Sequence, residues 1–297
     1  MLRVNDELRK YDLSPSKYTN LKNVTIVDTN KGKFVFKRKT NNNIYDYLNS
    51  RNFNYYPKII SDSNDEFMIT PYIPSIDMPE EQKIDDMIDL VSLLHSKTTH
   101  FKEVDSDEYK EIYEDITNNI DYLYSYYSDI MTIIESKVFM SPPEYLLALN
   151  ISKVYESLSY CHIKIEDWYK KVKDKKKKRL VVLHNNLKLD HFIRYDIPYL
   201  ISWDKAKIDM PIFDLYKLYK NENIEFDFSE VLKRYEHNYP LDEDEKELLF
   251  ILITLPDKIS FDDTNYNMCI KISDMIDILN RAKYLTSPNN FKNTEKN

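Results

Sequence analysis

The stretch Leu183-His184-Asn185-Asn186-Leu187-Lys188-Leu189-Asp190-His191-Phe192-Ile193 reads as a polar loop with an apolar strand on either side. Residues 180–183 form a short, wholly apolar run, as expected of a buried strand, and residues 192–195 begin the next one. Asp196-Ile197-Pro198 is turn-forming and separates that run from residues 199–203, so a small hairpin follows the loop. Outside this region the pattern is helical. Apolar stripes at helical spacing run through residues 106–138 and 142–173 before it, and through 212–219, 228–235, 243–255 and 269–285 after it. Ser141-Pro142-Pro143-Glu144 supplies a capping serine and first-turn prolines for one of these helices.

The N-terminal part has a different period. Residues 23–28 and 33–39 flank the turn Thr29-Asn30-Lys31-Gly32 and predict a β-hairpin. Residues 41–52 carry Ile44, Tyr47, Leu48 and Arg51 at helical spacing, and two further strands are expected at 56–60 and 67–73. From Pro79 the stripe Ile84, Met87, Ile88, Val91, Leu94 and His95 opens a helix with Glu80 and Glu81 at its positive end. The expected class is α+β: a β-rich lobe over residues 1–75, a mostly helical lobe over 76–287, and a disordered polar tail at 288–297.

Composition narrows the chemistry. A phosphate-cradling P-loop or a GxGxxG turn needs several glycines, and Gly32 is the only one among 297 residues. Cys161 and Cys269 lack CxxC spacing, which argues against a disulfide framework or a thiolate zinc site. A net charge of −8 disfavours nucleic acid as a partner. The apolar runs are too short to span a bilayer and residues 1–10 do not read as a secretory signal, so a cytoplasmic protein with no membrane partner is expected. The basic segment 170–179 reads as a solvated helix end and turn, and the tyrosines at 122–127 as packing residues with hydroxyls at the boundary.

The 184–193 loop resembles the HGDLHxxN loop of aminoglycoside and choline kinases. Leu200-Ile201-Ser202-Trp203-Asp204 resembles their IDWE segment, and Pro211-Ile212-Phe213-Asp214-Leu215 their PxxYDL segment. Leu93-Leu94-His95 is similar to the LxxLH helix of the same families, and residues 141–146 look like the helical lobe of the spore-coat CotS branch. The resemblance runs from about residue 18 to 285 and implies a bilobal, protein kinase-like fold.

Phosphoryl transfer depends on positioning and charge stabilisation. It needs a lysine on the nucleotide phosphates, oxygen ligands for magnesium, and a carboxylate beside the attacking hydroxyl. In Phe34-Val35-Phe36-Lys37, a period of two puts Val35 and Lys37 on one face, suiting an adenine contact beside a phosphate-binding lysine. An edge-strand lysine facing solvent has the same spacing. The connection at 68–73, including Tyr72, would hold the base, and Asp46 is the only carboxylate in residues 41–52 available to pair with Lys37.

The resemblance also assigns roles that this sequence departs from. The family's base aspartate aligns with Asn186, which cannot accept a proton, and its metal-binding asparagine and aspartate align with His191 and Ser202, poor ligands for a hard cation. His184 and Asp214 are kept and would brace the loop. Asp190 and Asp204 are the candidate substitutes for a relocated acidic or cation site. Three functions are therefore expected. The first is a catalytically impaired pseudokinase with a binding, spore-coat or assembly role and a protein partner. The second is an active ATP- and magnesium-dependent kinase for a small cationic amino sugar or amino alcohol, using Asp190 and Asp204. The third is a nucleotide sensor without catalysis.

Overall fold

The computed structural model describes residues 7–21, 24–39, 44–61, 66–222 and 226–287. The chain divides into two compact units, residues 1–98 with 182–208, and residues 99–181 with 209–297. The lobe boundary expected after residue 75 thus falls within the first unit, and the expected tail at 288–297 lies outside the described residues.

The first unit carries an antiparallel sheet in the order β1-β2-β3-β4, formed by Pro15–Asn20, Thr25–Thr29, Gly32–Arg38 and Phe67–Pro71. The predicted hairpin is β2–β3, closed where Thr29 pairs with Gly32. Gly32 takes φ 114°, which side chains rarely adopt, so the chain's single glycine sits where the turn requires one. One face of the sheet packs Val27, Phe36 and Ile69 against Leu8 and Leu13. Strand β1 gave no sequence signal because five of its six residues are exposed and only Tyr18 packs on this core.

Helix α1, Ile44–Ser50, is short and buries Ile44 and Leu48. Residues 56–60 do not form the expected strand. Pro57 removes a donor, and contact with β4 reduces to the Ile60 amide on the Ile69 carbonyl (2.9 Å) and the Ile69 amide on Ser61 Oγ (3.1 Å). Helix α2, Glu80–Thr98, buries every residue of the predicted stripe. The Thr98 hydroxyl accepts from the Val182 amide at 3.0 Å. Beyond the polar loop lies the predicted hairpin, β7 (Phe192–Arg194) paired with β8 (Pro198–Leu200). The Ile76 amide donates to the Arg194 carbonyl and the Leu200 amide to that of Tyr55, both under 3 Å (2.9 and 2.8 Å).

The second unit is helical: α3 Ser106–Glu135, α4 Pro142–Val172, α5 Ile212–Glu222, α6 Phe228–Asn238, α7 Glu243–Thr254 and α8 Asn265–Thr286. Strand β5 (His100–Glu103) is an element the sequence did not signal. It pairs with β6 (Lys177–Leu183) from His100 opposite Leu180 to Glu103 opposite Lys177. Helix α4 starts as predicted, with the Ser141 amide donating to Glu144 at 2.7 Å. Among the tyrosines, Tyr127 is fully buried with its hydroxyl on the Asp257 carbonyl, whereas Tyr122 and Tyr124 are exposed.

The basic segment is the helix end and turn expected of it, with Lys170, Lys171, Lys173 and Lys176 exposed, but three of its cations are also paired. Lys171 pairs with Glu247 (2.8 Å), Lys175 with Asp244 (2.6 Å), and Arg179 with Glu245. The acidic start of α7, Glu243-Asp244-Glu245, gathers the cations, because carboxylates there are favoured by the helix dipole and attract the lysines in turn. Among the described residues no helix is long and apolar enough to cross a membrane.

Candidate functional site

Two cavities of the first unit share Tyr45, Met68 and Trp203 as walls. The smaller, about 250 Å³, is mainly apolar and is lined by Val35, Lys37, Thr70, Tyr72 and Ile201, among others. Strand geometry explains this lining. Phe36 faces the core, so Val35 and Lys37 face the cavity, and their cross-strand partners Thr70 and Met68 line it too. The sequence-predicted nucleotide residues Val35, Lys37 and Tyr72 therefore meet at one cavity. The larger cavity, about 570 Å³, has a mixed lining that includes Arg38, Lys39, Asp46, Asn49, Lys58 and Asp204.

At the boundary between the cavities, the Lys37 ammonium pairs with the Asp204 carboxylate. Both side chains are largely shielded, 17% and 29% exposed, so the pair is stronger than one in open water. Residues 41–52 were the expected source of Lys37's partner, through Asp46. The structure instead pairs Lys37 with the carboxylate that follows the loop and hairpin. Asp204 is aimed by local backbone. Ser202 adopts the left-handed region (φ 67°, ψ 48°) and leads into a 3₁₀ turn, Trp203–Lys205. Trp203 is buried against Phe53, Tyr56 and His184, with its indole N–H on the Leu200 carbonyl at 2.8 Å. Burial, and secondarily the Asp204 carboxylate, hold the Tyr45 hydroxyl above the usual phenol range, so it stays a neutral group on the shared wall.

The polar loop is closed by imidazole and amide groups that donate to backbone carbonyls. His184 Nε2 donates to the Ile201 carbonyl (2.8 Å), and His191 Nδ1 to the Asn186 carbonyl (2.7 Å). The Asn186 amide reaches the Ser202 carbonyl (3.5 Å), and that of Asn185 the Lys205 carbonyl (2.9 Å). Asn185 also has a left-handed backbone (φ 55°), which asparagine tolerates better than most residues. The hairpin adds the Ile201 amide on the His191 carbonyl at 2.9 Å.

Asn186, His191 and Ser202 are thus brought together, but not as a set of hard oxygen ligands. With Nδ1 committed, His191 offers only its second ring nitrogen. Among the described residues no group of three or more His, Cys, Asp or Glu side chains is placed to hold a metal ion. The Asn186, His191 and Ser202 positions themselves supply no carboxylate for a hard cation. Asp190 is exposed in the 3₁₀ turn Leu189–His191. His184 is fully buried in the first unit, whereas Asp214 is fully buried in the first turn of α5 in the second. The Lys37–Asp204 pair is the feature that reading the motifs separately did not give. A carboxylate two residues after the metal position was the one available signal.

No protein-family model matches the sequence, and no curated protein matches it. Solved structures do. An aminoglycoside phosphotransferase from Alicyclobacillus acidocaldarius superposes with a TM-score of 0.71 at 9% identity, over 95% of this chain and 93% of that one. Spectinomycin phosphotransferase APH(9)-Ia in its AMP-bound complex gives 0.61 at 12% identity, over 96% and 99%. Its complex with ADP and spectinomycin gives 0.54 at 13% identity, over 99% and 91%. Identities this low speak to fold rather than activity, and the agreement with the motifs of residues 184–215 makes the conclusion specific: this chain has the α+β, kinase-like fold of the aminoglycoside phosphotransferases.

Proposed function

We propose that this protein is a kinase-fold binding protein that takes a nucleotide in the smaller cavity and has lost efficient phosphoryl transfer. The observation that carries this reading is the closure of the loop by imidazole and amide donors on backbone carbonyls. Asn186, His191 and Ser202 are joined through backbone carbonyls, and Asp204, two residues after Ser202, is held by Lys37. An amide at the base position cannot take the proton of an attacking hydroxyl, and these positions offer no carboxylate for a hard cation. Retention of Val35, Lys37 and Tyr72 around an apolar cavity supports binding of the base, and the similar spectinomycin phosphotransferase was solved with AMP. The role is binding or assembly with a protein partner, and the resemblance to CotS sequences supports a spore-coat setting if the source organism sporulates. An active amino sugar or amino alcohol kinase would instead need Asp190 and Asp204 to act on a cation, and the Lys37–Asp204 pair argues against that.

Thermal melting with ATP, ADP and AMPPNP, with and without magnesium, tests this on wild type and Lys37→Ala. Stabilisation by nucleotide that is lost in Lys37→Ala, together with no ATP turnover on amino sugars or amino alcohols, is expected. Magnesium-dependent phosphoryl transfer to any such acceptor would refute the pseudokinase reading.

A further inference from the structure

Lys37 and Asp204 are the residues in which the two cavities and the degenerate loop meet. Lys37 lines the smaller, apolar cavity and Asp204 the larger one. An ammonium shielded to this degree needs a counter-ion, and in this structure a side chain of the protein itself provides it. A phosphate-bearing ligand approaching Lys37 would meet that carboxylate as a like charge. A divalent cation bridging ligand and carboxylate would relieve the repulsion, but Asn186, His191 and Ser202 add no second carboxylate to hold it, and among the described residues no group of three or more His, Cys, Asp or Glu side chains is placed to do so. The alternative is movement of Asp204. Its carboxylate borders the larger cavity, where Arg38, Lys39 and Lys58 also lie, so cationic side chains are present on the side to which it would turn.

We propose that Asp204 is an internal competitor for Lys37: a ligand with a ring and an anionic group, of the nucleoside diphosphate class, binds without a divalent cation by displacing Asp204 from Lys37 toward the cations of the larger cavity. This rests on the nucleotide-binding reading given above. It gives Asp204 a sign opposite to that of a metal ligand. Removing a metal ligand weakens nucleotide binding, whereas removing a competitor strengthens it.

The experiment is calorimetric titration of ADP into the full chain, wild type and Asp204→Asn, once in EDTA and once in magnesium. Wild-type affinity should change by less than about twofold between the two buffers. Asp204→Asn should bind about fivefold more tightly in both, the weight of one partly exposed ion pair. Asp204→Ser serves as a second variant if the asparagine variant does not fold, as judged by circular dichroism. ADP binding that weakens in Asp204→Asn, or that depends on magnesium in wild type, would overturn the competitor assignment and leave the nucleotide reading standing. Absence of ADP binding to both wild type and Asp204→Asn would overturn the nucleotide reading and this inference with it.

Discussion

Truncating Trp203 tests whether the candidate site is built on its own packing. The side chain is 2% exposed, lies edge-on to Phe53 (ring centroids 6.0 Å) and His184 (4.8 Å), and donates to the Leu200 carbonyl. Burying roughly 200 Å² of indole is worth about 5 kcal/mol at about 25 cal/mol per Å², an upper figure because the unfolded chain hides part of that surface. Trp→Ala truncations in cores cost about 3–5 kcal/mol. Leaving the Leu200 carbonyl without its donor adds about 1 kcal/mol. We therefore expect Trp203→Ala to lose about 4 kcal/mol and Trp203→Phe about 1–2 kcal/mol, since phenylalanine keeps a ring but not the N–H. Equilibrium urea unfolding followed by far-ultraviolet circular dichroism reads this without relying on indole fluorescence, for which the variants retain only Trp168. A loss below about 1.5 kcal/mol for the alanine variant, or equal losses for both, would refute the view that this indole holds the 3₁₀ turn and Asp204 in place.

Two further outcomes follow from the second unit. Glu245 is 6% exposed at its side chain, pairs with Arg179, and also accepts from the Asp242 amide at 3.0 Å, so Arg179→Met strands a buried carboxylate and should cost about 3–5 kcal/mol. Adding Glu245→Gln should recover more than half of that, and strictly additive losses in a double-mutant cycle by urea unfolding would disprove the coupling. The Lys137 ammonium and then the Ser141 amide hold the Glu144 carboxyl below its ordinary pKa of 4.5. A carboxyl depressed by folding contributes stability that is complete above about pH 4.5 and is lost as pH falls through the lower folded value. Glu144→Gln should thus cost stability at pH 6 and much less at pH 3; the same difference in urea midpoint at both would count against the pairing.

Most of the helices were legible because their buried stripes are long: all six positions of the predicted α2 stripe, five apolar residues and His95, are buried, and α4 announces its start through Ser141 and Glu144. Strand β1 was not legible, since an edge strand with five exposed residues shows no alternation. The segment at residues 56–60 was misread because Tyr56-Pro57-Lys58-Ile59-Ile60 has strand composition while Pro57 disrupts the ladder. In the site, Val35 and Lys37 followed from the two-residue period. The partner of Lys37 did not, because it comes 167 residues later and depends on Ser202 taking a left-handed backbone. The acidic partners of the basic segment 170–179 were hidden for the same reason: Asp244, Glu245 and Glu247 look in sequence like the ordinary negative start of a helix.

The loop that carries the family resemblance keeps its shape by a means that does not require catalysis. A site built from several carboxylates is held together by the cation it binds, because the like charges otherwise repel. In residues 184–205 the closing donors are imidazole and amide groups, and the acceptors are backbone carbonyls. None of these bonds needs a metal, and Trp203 anchors the turn from within. On the proposed reading, Asn186 and Ser202 stand where the resembling kinases carry carboxylates and His191 where they carry an amide, which removes the need for a cation and leaves a scaffold in which Asp204 can neutralise Lys37. A change that restored charge at those positions would have to supply the cation as well. For that reason single reversions such as Ser202→Asp should destabilise the loop more than they restore any function.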